Sequence, residues 1–307
     1  MGKIVVVAGP TATGKSALAL FLAQRFGGEV VGADSMQIYR GLRIGTAAIT
    51  QEEACGVPLH LMGFLPPDAP FSVAAWLKMA HGCIGEIHAR GAVPIVCGGT
   101  GLYLSSLLQG VRFEQETDTA LRAQLEADWR QQGGQAMLAR LAACDPGRAE
   151  KLHLQDKKRI LRALEQALQT RMTAEAREAQ STAGGPPYSA LCLGLNHADR
   201  AGLYAAIEAR VDAMMEEGLL QEARGVFENR DRYKTAVQAI GYKEFFPYFE
   251  SEAPLEACVQ KLKQATRNYA KRQLTWFRRM DDMHWLDATS PALREQAGQR
   301  AAAFLKA

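Results

Sequence analysis

Ile4-Val-Val-Val-Ala-Gly-Pro-Thr-Ala-Thr-Gly-Lys-Ser16 is the stretch from which the fold is read. Ile4 to Ala8 is an apolar, β-branched run of strand length. Gly9, Pro10, Thr11, Ala12, Thr13, Gly14, Lys15 and Ser16 follow at once and fit G-x-x-x-x-G-K-[ST]. Leu18, Phe21, Leu22 and Phe26 then recur at helical spacing. Strand, glycine loop and helix in this register predict a phosphate cradle. The glycines let the backbone curl inward, and the helix start brings its positive dipole end to the same spot. Lys15 is placed to reach the terminal phosphates and Ser16 to hold Mg²⁺.

Outward from the loop, Glu29-Val-Val-Gly-Ala33 reads as a second strand and ends in Asp34-Ser-Met-Gln-Ile-Tyr39. Ligands of open parallel sheets sit at the carboxyl ends of strands, so Asp34 faces the loop's crevice. It serves there as a general base or, more plainly, as a helix N-cap. A third strand, Ala92–Cys97, runs into Gly98-Gly-Thr-Gly-Leu-Tyr103. Thr100 is a hydroxyl donor to the reacting centre or another N-cap. Phosphotransferases of this loop class usually end such a strand in Asp to hold Mg²⁺, and Gly98 stands in that place. Residues 41–70 read as loop and turn.

From residue 114 to 189 only helical periodicity is found, with the basic run Lys157-Lys158-Arg159-Ile160-Leu161-Arg162 inside it. Ala190–Leu195 returns as a strand. A helix over 202–217 carries Arg210 at the edge of its apolar face, either snorkelling or gripping phosphate. The predicted architecture is α/β: a P-loop NTPase-like parallel sheet flanked by helices over 1–113 and 190–307, with a small all-α insertion over 114–189.

The chain has 307 residues and a formal net charge of only +3, unevenly spread. Over 255–280, Lys261, Lys263, Arg267, Lys271, Arg272, Arg278 and Arg279 face a single acid, Glu256. On a long helix beside Tyr269 and Trp276 this is a footprint for a polyanion such as nucleic acid. The stripe Leu255, Val259, Leu262, Tyr269, Trp276 and Met280 is read as its core face, and the tail after 281 carries no signal. Six scattered cysteines form no C-x-x-C pair, no apolar run reaches membrane length, and a strand starts at residue 4. A reduced, cytoplasmic chain without structural zinc is expected, with a monomer as the default.

Beyond the loop, Asp34–Tyr39, Gly98–Tyr103, Arg159-Ile-Leu-Arg-Ala-Leu-Glu165, Ala239-Ile-Gly-Tyr-Lys-Glu244, Thr266-Arg-Asn-Tyr-Ala-Lys-Arg-Gln273 and Thr275-Trp-Phe-Arg278 occur in the order seen in tRNA dimethylallyltransferases. The chain resembles the bacterial form of that family from residue 4 to about 280. The resemblance implies transfer of a dimethylallyl group from its diphosphate to N6 of the adenosine 3′-adjacent to the anticodon in tRNA. By resemblance, Asp34 accepts the N6 proton and Thr100 assists. Thr13, Lys15, Ser16 and Arg210 clamp the diphosphate with Mg²⁺. Asp34, Ser35, Met36 and Gln37 read the flipped base. Arg122, Lys158, Arg159, Ile160, Leu161, Arg162, Lys271 and Arg272 contact the anticodon stem-loop. A leaving diphosphate needs no Asp at Gly98. The chain departs from the family pattern at Arg43, at Leu59 and at Gln166, away from the chemistry. Two rival activities share the loop: a P-loop kinase, and a transferase to free adenine nucleotides. The helical insertion and the basic helix argue for a macromolecular acceptor.

Overall fold

The computed structural model describes residues 2–113, 118–280 and 282–307. Contacts divide the chain into two compact units, Met1–Leu108 with Pro187–Ala307, and Gln109–Pro186. The expected start of the insertion, residue 114, lies outside the described residues.

The first unit is built on six strands: β1 (Gly2–Ala8), β2 (Gly28–Gly32), β3 (Leu59–His60), β4 (Val93–Gly98), β5 (Tyr188–Asn196) and β6 (Met283–Asp287). All pairs are parallel, in the order β3-β2-β4-β1-β5-β6. The apolar run that starts the chain is thus central, buried on both faces as parallel strands must be. Its period-2 alternation separates two cores. Val5 and Val7 pack with Leu18 and Leu22 of α1 (Lys15–Phe26). Ile4, Val6 and Ala8 pack on the opposite face with Trp76 and Ile84. After α2 (Gln51–Ala54), those two residues belong to α3 (Val73–Ala89), and α4 (Gly101–Gln109) adds Tyr103 and Leu104. Ala8 pairs with Gly98 and Gly32 with Cys97, so β1, β2 and β4 end level with one another. The strand order reverses at β1, and a ligand crevice is expected at that edge.

The second unit is all-helical: α5 (Thr119–Cys144), broken at Gly133 with φ 77°, α6 (Pro146–Ala149), α7 (Lys157–Thr170) and α8 (Ala174–Thr182). Leu125, Met137, Leu141, Ile160, Leu161 and Leu164 form its own core.

The chain then completes the first unit with α9 (Arg200–Glu216), α10 (Leu219–Glu228), α11 (Phe246–Phe249), α12 (Leu255–Phe277) and α13 (Leu293–Lys306). The segment after 281, which carried no sequence signal, supplies β6 and α13. Five residues on a sheet edge are too few and too exposed to show a period. Among the described residues no helix is long and apolar enough to cross a membrane.

Candidate active site

A crevice of about 1090 Å³ opens at the level strand ends, lined by the phosphate loop, Asp34–Gln37, Arg210, Tyr269, Arg272 and Gln273. The loop's shape is set by backbone geometry. Gly9 has φ 138°, and a side chain there would fall on the Leu195 carbonyl oxygen. Gly14 has φ 74° and caps α1 without any side-chain hydrogen bond, which leaves the helix's orphan N–H groups to an anion. The buried Thr13 hydroxyl donates to the Pro10 carbonyl at 2.9 Å, and the Lys15 ammonium donates to the same carbonyl. Ala12 has φ 62°, and His197 Nε2–H donates to its carbonyl at 3.1 Å. Burial lowers the Lys15 pKa from 10.5 to about 8, against the pull of Cys97 and Asp34 and with the push of Arg210. Burial also lowers Arg210, with Asp34 opposing. Two cations therefore sit desolvated in one crevice, an arrangement completed by a multivalent anion.

Asp34 lies just past the end of β2. Its Oδ1 accepts the Met36 N–H at 2.9 Å and, at 3.4 Å, that of Gln37. The N-cap alternative is thus realised as a turn, on one oxygen only. Oδ2 points toward Gly99, lying 3.5 Å from where a Cβ there would stand. Thr100 does not cap α4 with its side chain. Its Oγ1 accepts the Ser35 N–H at 3.0 Å and so ties the end of β4 to the turn that holds Asp34. Gln37 spends its amide N–H groups on the Thr46 and Ala47 carbonyls, both at 3.0 Å, leaving its carbonyl as the group available for reading a base.

The glycines after β4 are explained by close approach. A side chain at Gly98 would fall on the Ala33 carbonyl, one at Gly99 on the Gln273 amide, and one at Gly101 on the Trp276 ring. No carboxylate of the kind a phosphotransferase carries fits at position 98. The α12 stripe also differs from the sequence expectation. Its buried residues are Cys258, Leu262, Thr266, Ala270, Gln273 and Phe277, whereas Trp276 is 45% exposed. Counting apolar residues rotated the stripe, because Thr266 and Gln273 are polar yet face the crevice. Half of one basic flank is neutralised: Lys263 pairs with Asp212 at 2.7 Å and Arg267 with Glu208 at 2.6 Å, both acids on α9. Lys271 and Arg272 are exposed.

In the helical unit, Lys158, Arg159 and Arg162 are exposed. Ile160 and Leu161 are not: both are buried in that unit's core, so their side chains are withdrawn from the expected RNA-contacting set. Arg122 is half-buried and joins Arg162 on the fully buried Glu165 carboxylate, at 3.2 and 3.0 Å.

Sequence reasoning missed three further groups. Gln273 stood inside a quoted motif with no role assigned. Glu222, half-buried on α10, accepts the N–H groups of Arg43, Ile44 and Gly45 at 2.8–2.9 Å and the Tyr242 hydroxyl at 2.9 Å. His197 had no motif to flag it.

Comparison with known proteins adds an independent line. The family model described as IPP transferase matches residues 37–280, and that described as isopentenyl transferase matches 2–58. A tRNA dimethylallyltransferase of Bacillus velezensis is 41% identical over 300 residues, 95% of this chain and 93% of that protein. One from an Exiguobacterium species is 44% identical over 286 residues, 92% and 90% of the respective chains. The crystal structure of a tRNA isopentenylpyrophosphate transferase from Bacillus halodurans superposes with TM-score 0.74 at 38% identity, covering 100% of this chain and 98% of that one. A eukaryotic dimethylallyltransferase described as acting on tRNA gives TM-score 0.83 at 30% identity, covering 98% and 78%.

Proposed function

The chain belongs to the IPP transferase family of tRNA dimethylallyltransferases, and from that premise we propose that its crevice moves a dimethylallyl group from dimethylallyl diphosphate to N6 of the adenosine 3′-adjacent to the anticodon of tRNA. The observation that carries this reading is the pairing, in one crevice, of two desolvated cations with a carboxylate whose Oδ2 has no hydrogen-bond partner among the described residues. The cations and the loop amides bind the diphosphate. The C1–O bond of the donor breaks as C1–N6 forms. Diphosphate leaves with the bonding electrons, and the N6 proton passes to Asp34 Oδ2. Positive charge grows on the allyl carbon and negative charge on the bridging oxygen, so groups fixed around that oxygen lower the barrier. Thr100 holds the Asp34 turn through Ser35 while Gln37 and its neighbours meet the base, which must leave its stack to enter.

Mg²⁺ fits this site as a partner of the donor. Ser16 offers one hard oxygen on the crevice wall. Ser16 would hold the ion from the protein side, and the oxygens of the donor's diphosphate and of water would suit its remaining positions. When bound, the ion supplies further neutralisation of the departing charge. Exposed Lys158, Arg159, Arg162, Lys271 and Arg272 supply phosphate contacts to the anticodon stem-loop. The reading takes the chain as a monomer that acts in the cytoplasm.

The test is a transfer assay with radiolabelled dimethylallyl diphosphate, Mg²⁺ and either unmodified tRNA or AMP. Label in tRNA, lost by at least about a hundredfold in Asp34→Ala, is the expected result. Label in AMP alone overturns the acceptor, and consumption of ATP without prenyl transfer overturns the reaction class.

A further inference from the structure

We infer that Gln273 is a positioning residue that fixes the spacing between the donor's diphosphate and the accepting base; this rests on the transfer reading above. The side chain is buried, 5% exposed, on the face of α12 that closes the crevice. Its Oε1 accepts the Thr11 N–H of the phosphate loop at 2.9 Å. Its Nε2 donates to the Gly99 carbonyl at 2.9 Å. One planar amide thus spans the two strand ends that carry the two halves of the reaction, β1 through its loop and β4 through Thr100. Among the described residues neither backbone group has another hydrogen-bond partner.

The surroundings are shaped to this amide. Gly99 has no side chain where Nε2 sits, and Gly101 has none where the Trp276 ring sits, one helical step along the same face of α12. The helix therefore seats flush on the β4–α4 turn while it holds the loop. Tyr269, one turn earlier on the same helix, lines the crevice beside Gln273. A rigid helix is a better ruler than a loop, and transfer between two separately bound molecules depends on their separation to within a fraction of an ångström. The exposed side of the same helix carries Lys271 and Arg272, so the segment that meets the acceptor RNA also braces the donor loop.

The test replaces Gln273 in the full chain and measures four quantities: steady-state transfer, tRNA affinity without donor, thermal midpoint, and diphosphate released per tRNA modified. Gln273→Met keeps the length and loses both hydrogen bonds. Gln273→Glu keeps the acceptor toward Thr11 and turns the Gly99 side into two facing acceptors. For both variants kcat is expected to fall by about tenfold or more and the KM for dimethylallyl diphosphate to rise, with tRNA affinity held within about twofold. With N6 misplaced, water captures part of the allyl group, giving dimethylallyl alcohol, diphosphate and a proton, so diphosphate release exceeds tRNA modification. Wild-type transfer in the same assay tests the underlying reaction separately. A folded Gln273→Met enzyme with unchanged kcat and unchanged coupling overturns the positioning role. So does a loss of tRNA affinity that matches the loss of transfer, which marks a general collapse of the site. Should Gln273→Met not fold, the same readouts on Gln273→Glu decide.

Discussion

Lys15 is the residue whose protonation binding of the donor is expected to change. Burial and the neighbouring Arg210 hold its pKa at about 8. A diphosphate beside it reverses that balance and returns the proton. The sign follows from linkage. Below pH 8 the ammonium is already charged and the donor binds without taking up a proton. Between about 8 and 10.5 the empty folded site has lost a proton that the loaded site keeps, so affinity for the donor falls as pH rises. In the same window the unfolded chain still holds that proton, so Lys15's own contribution to stability rises with pH. Titration calorimetry with dimethylallyl diphosphate at pH 9, in two buffers of different ionisation enthalpy, is expected to show uptake of about one proton per donor bound, and close to none at pH 6.5. Equal heats in both buffers at pH 9 would exclude Lys15 as the titrating clamp. Arg210 is the second cation of the clamp, and its replacement by Gln is expected to weaken donor binding by about tenfold or more.

Among the elements, the segment Arg43–Ala48 between the Asp34 turn and α2 has almost no regular structure, yet it lines the crevice in a fixed form. Glu222 explains this. One carboxylate takes three successive backbone N–H groups and the buried Tyr242 hydroxyl. Burial and the adjacent carboxylate push the Tyr242 phenol far above its usual range, so it remains a donor. Gly45 lies where a side chain would strike the Tyr242 ring, which accounts for the Tyr of the Ala-Ile-Gly-Tyr-Lys-Glu motif as part of this clamp. Tyr242→Phe is expected to lower the unfolding free energy by about 1.5–3 kcal/mol, and Glu222→Gln by more, because its new amide hydrogens meet backbone donors. Urea denaturation of both single variants and the double variant checks this; independent, additive losses would disprove the clamp. None of it was legible in sequence. Glu222 acts on residues about 180 positions earlier, and a lone Glu on an amphipathic helix looks like solvent-facing charge. The phosphate loop was legible because strand, glycines, lysine and helix are contiguous. The α12 stripe was misread because its two crevice-facing positions, Thr266 and Gln273, are polar.

At the scale of the whole chain, α/β class and a helical insertion followed from where strand periodicity stops and resumes. The assignment of roles inside the insertion did not follow as well. Lys157-Lys158-Arg159-Ile160-Leu161-Arg162 reads as one basic patch, but a helix presents such a run to two environments at once. Ile160 and Leu161 are the core of the helical unit, while Lys158, Arg159 and Arg162 stand on its surface. The two compact units have separate cores, so their stabilities are separable. Leu161→Ala removes a fully packed side chain from the smaller core and is expected to cost that unit about 2–5 kcal/mol. A four-helix unit of this size has little stability to spare. Its helices are expected to open locally under conditions where the sheet unit stays closed, which hydrogen exchange resolved by peptide would register as faster exchange over 118–186 alone. Transfer to tRNA should then fall with the lost basic face, while binding of dimethylallyl diphosphate, whose groups all lie in the sheet unit, stays within about twofold. If exchange accelerates equally across β1 and α1, the two units unfold as one and the division of labour between donor site and RNA contacts is wrong.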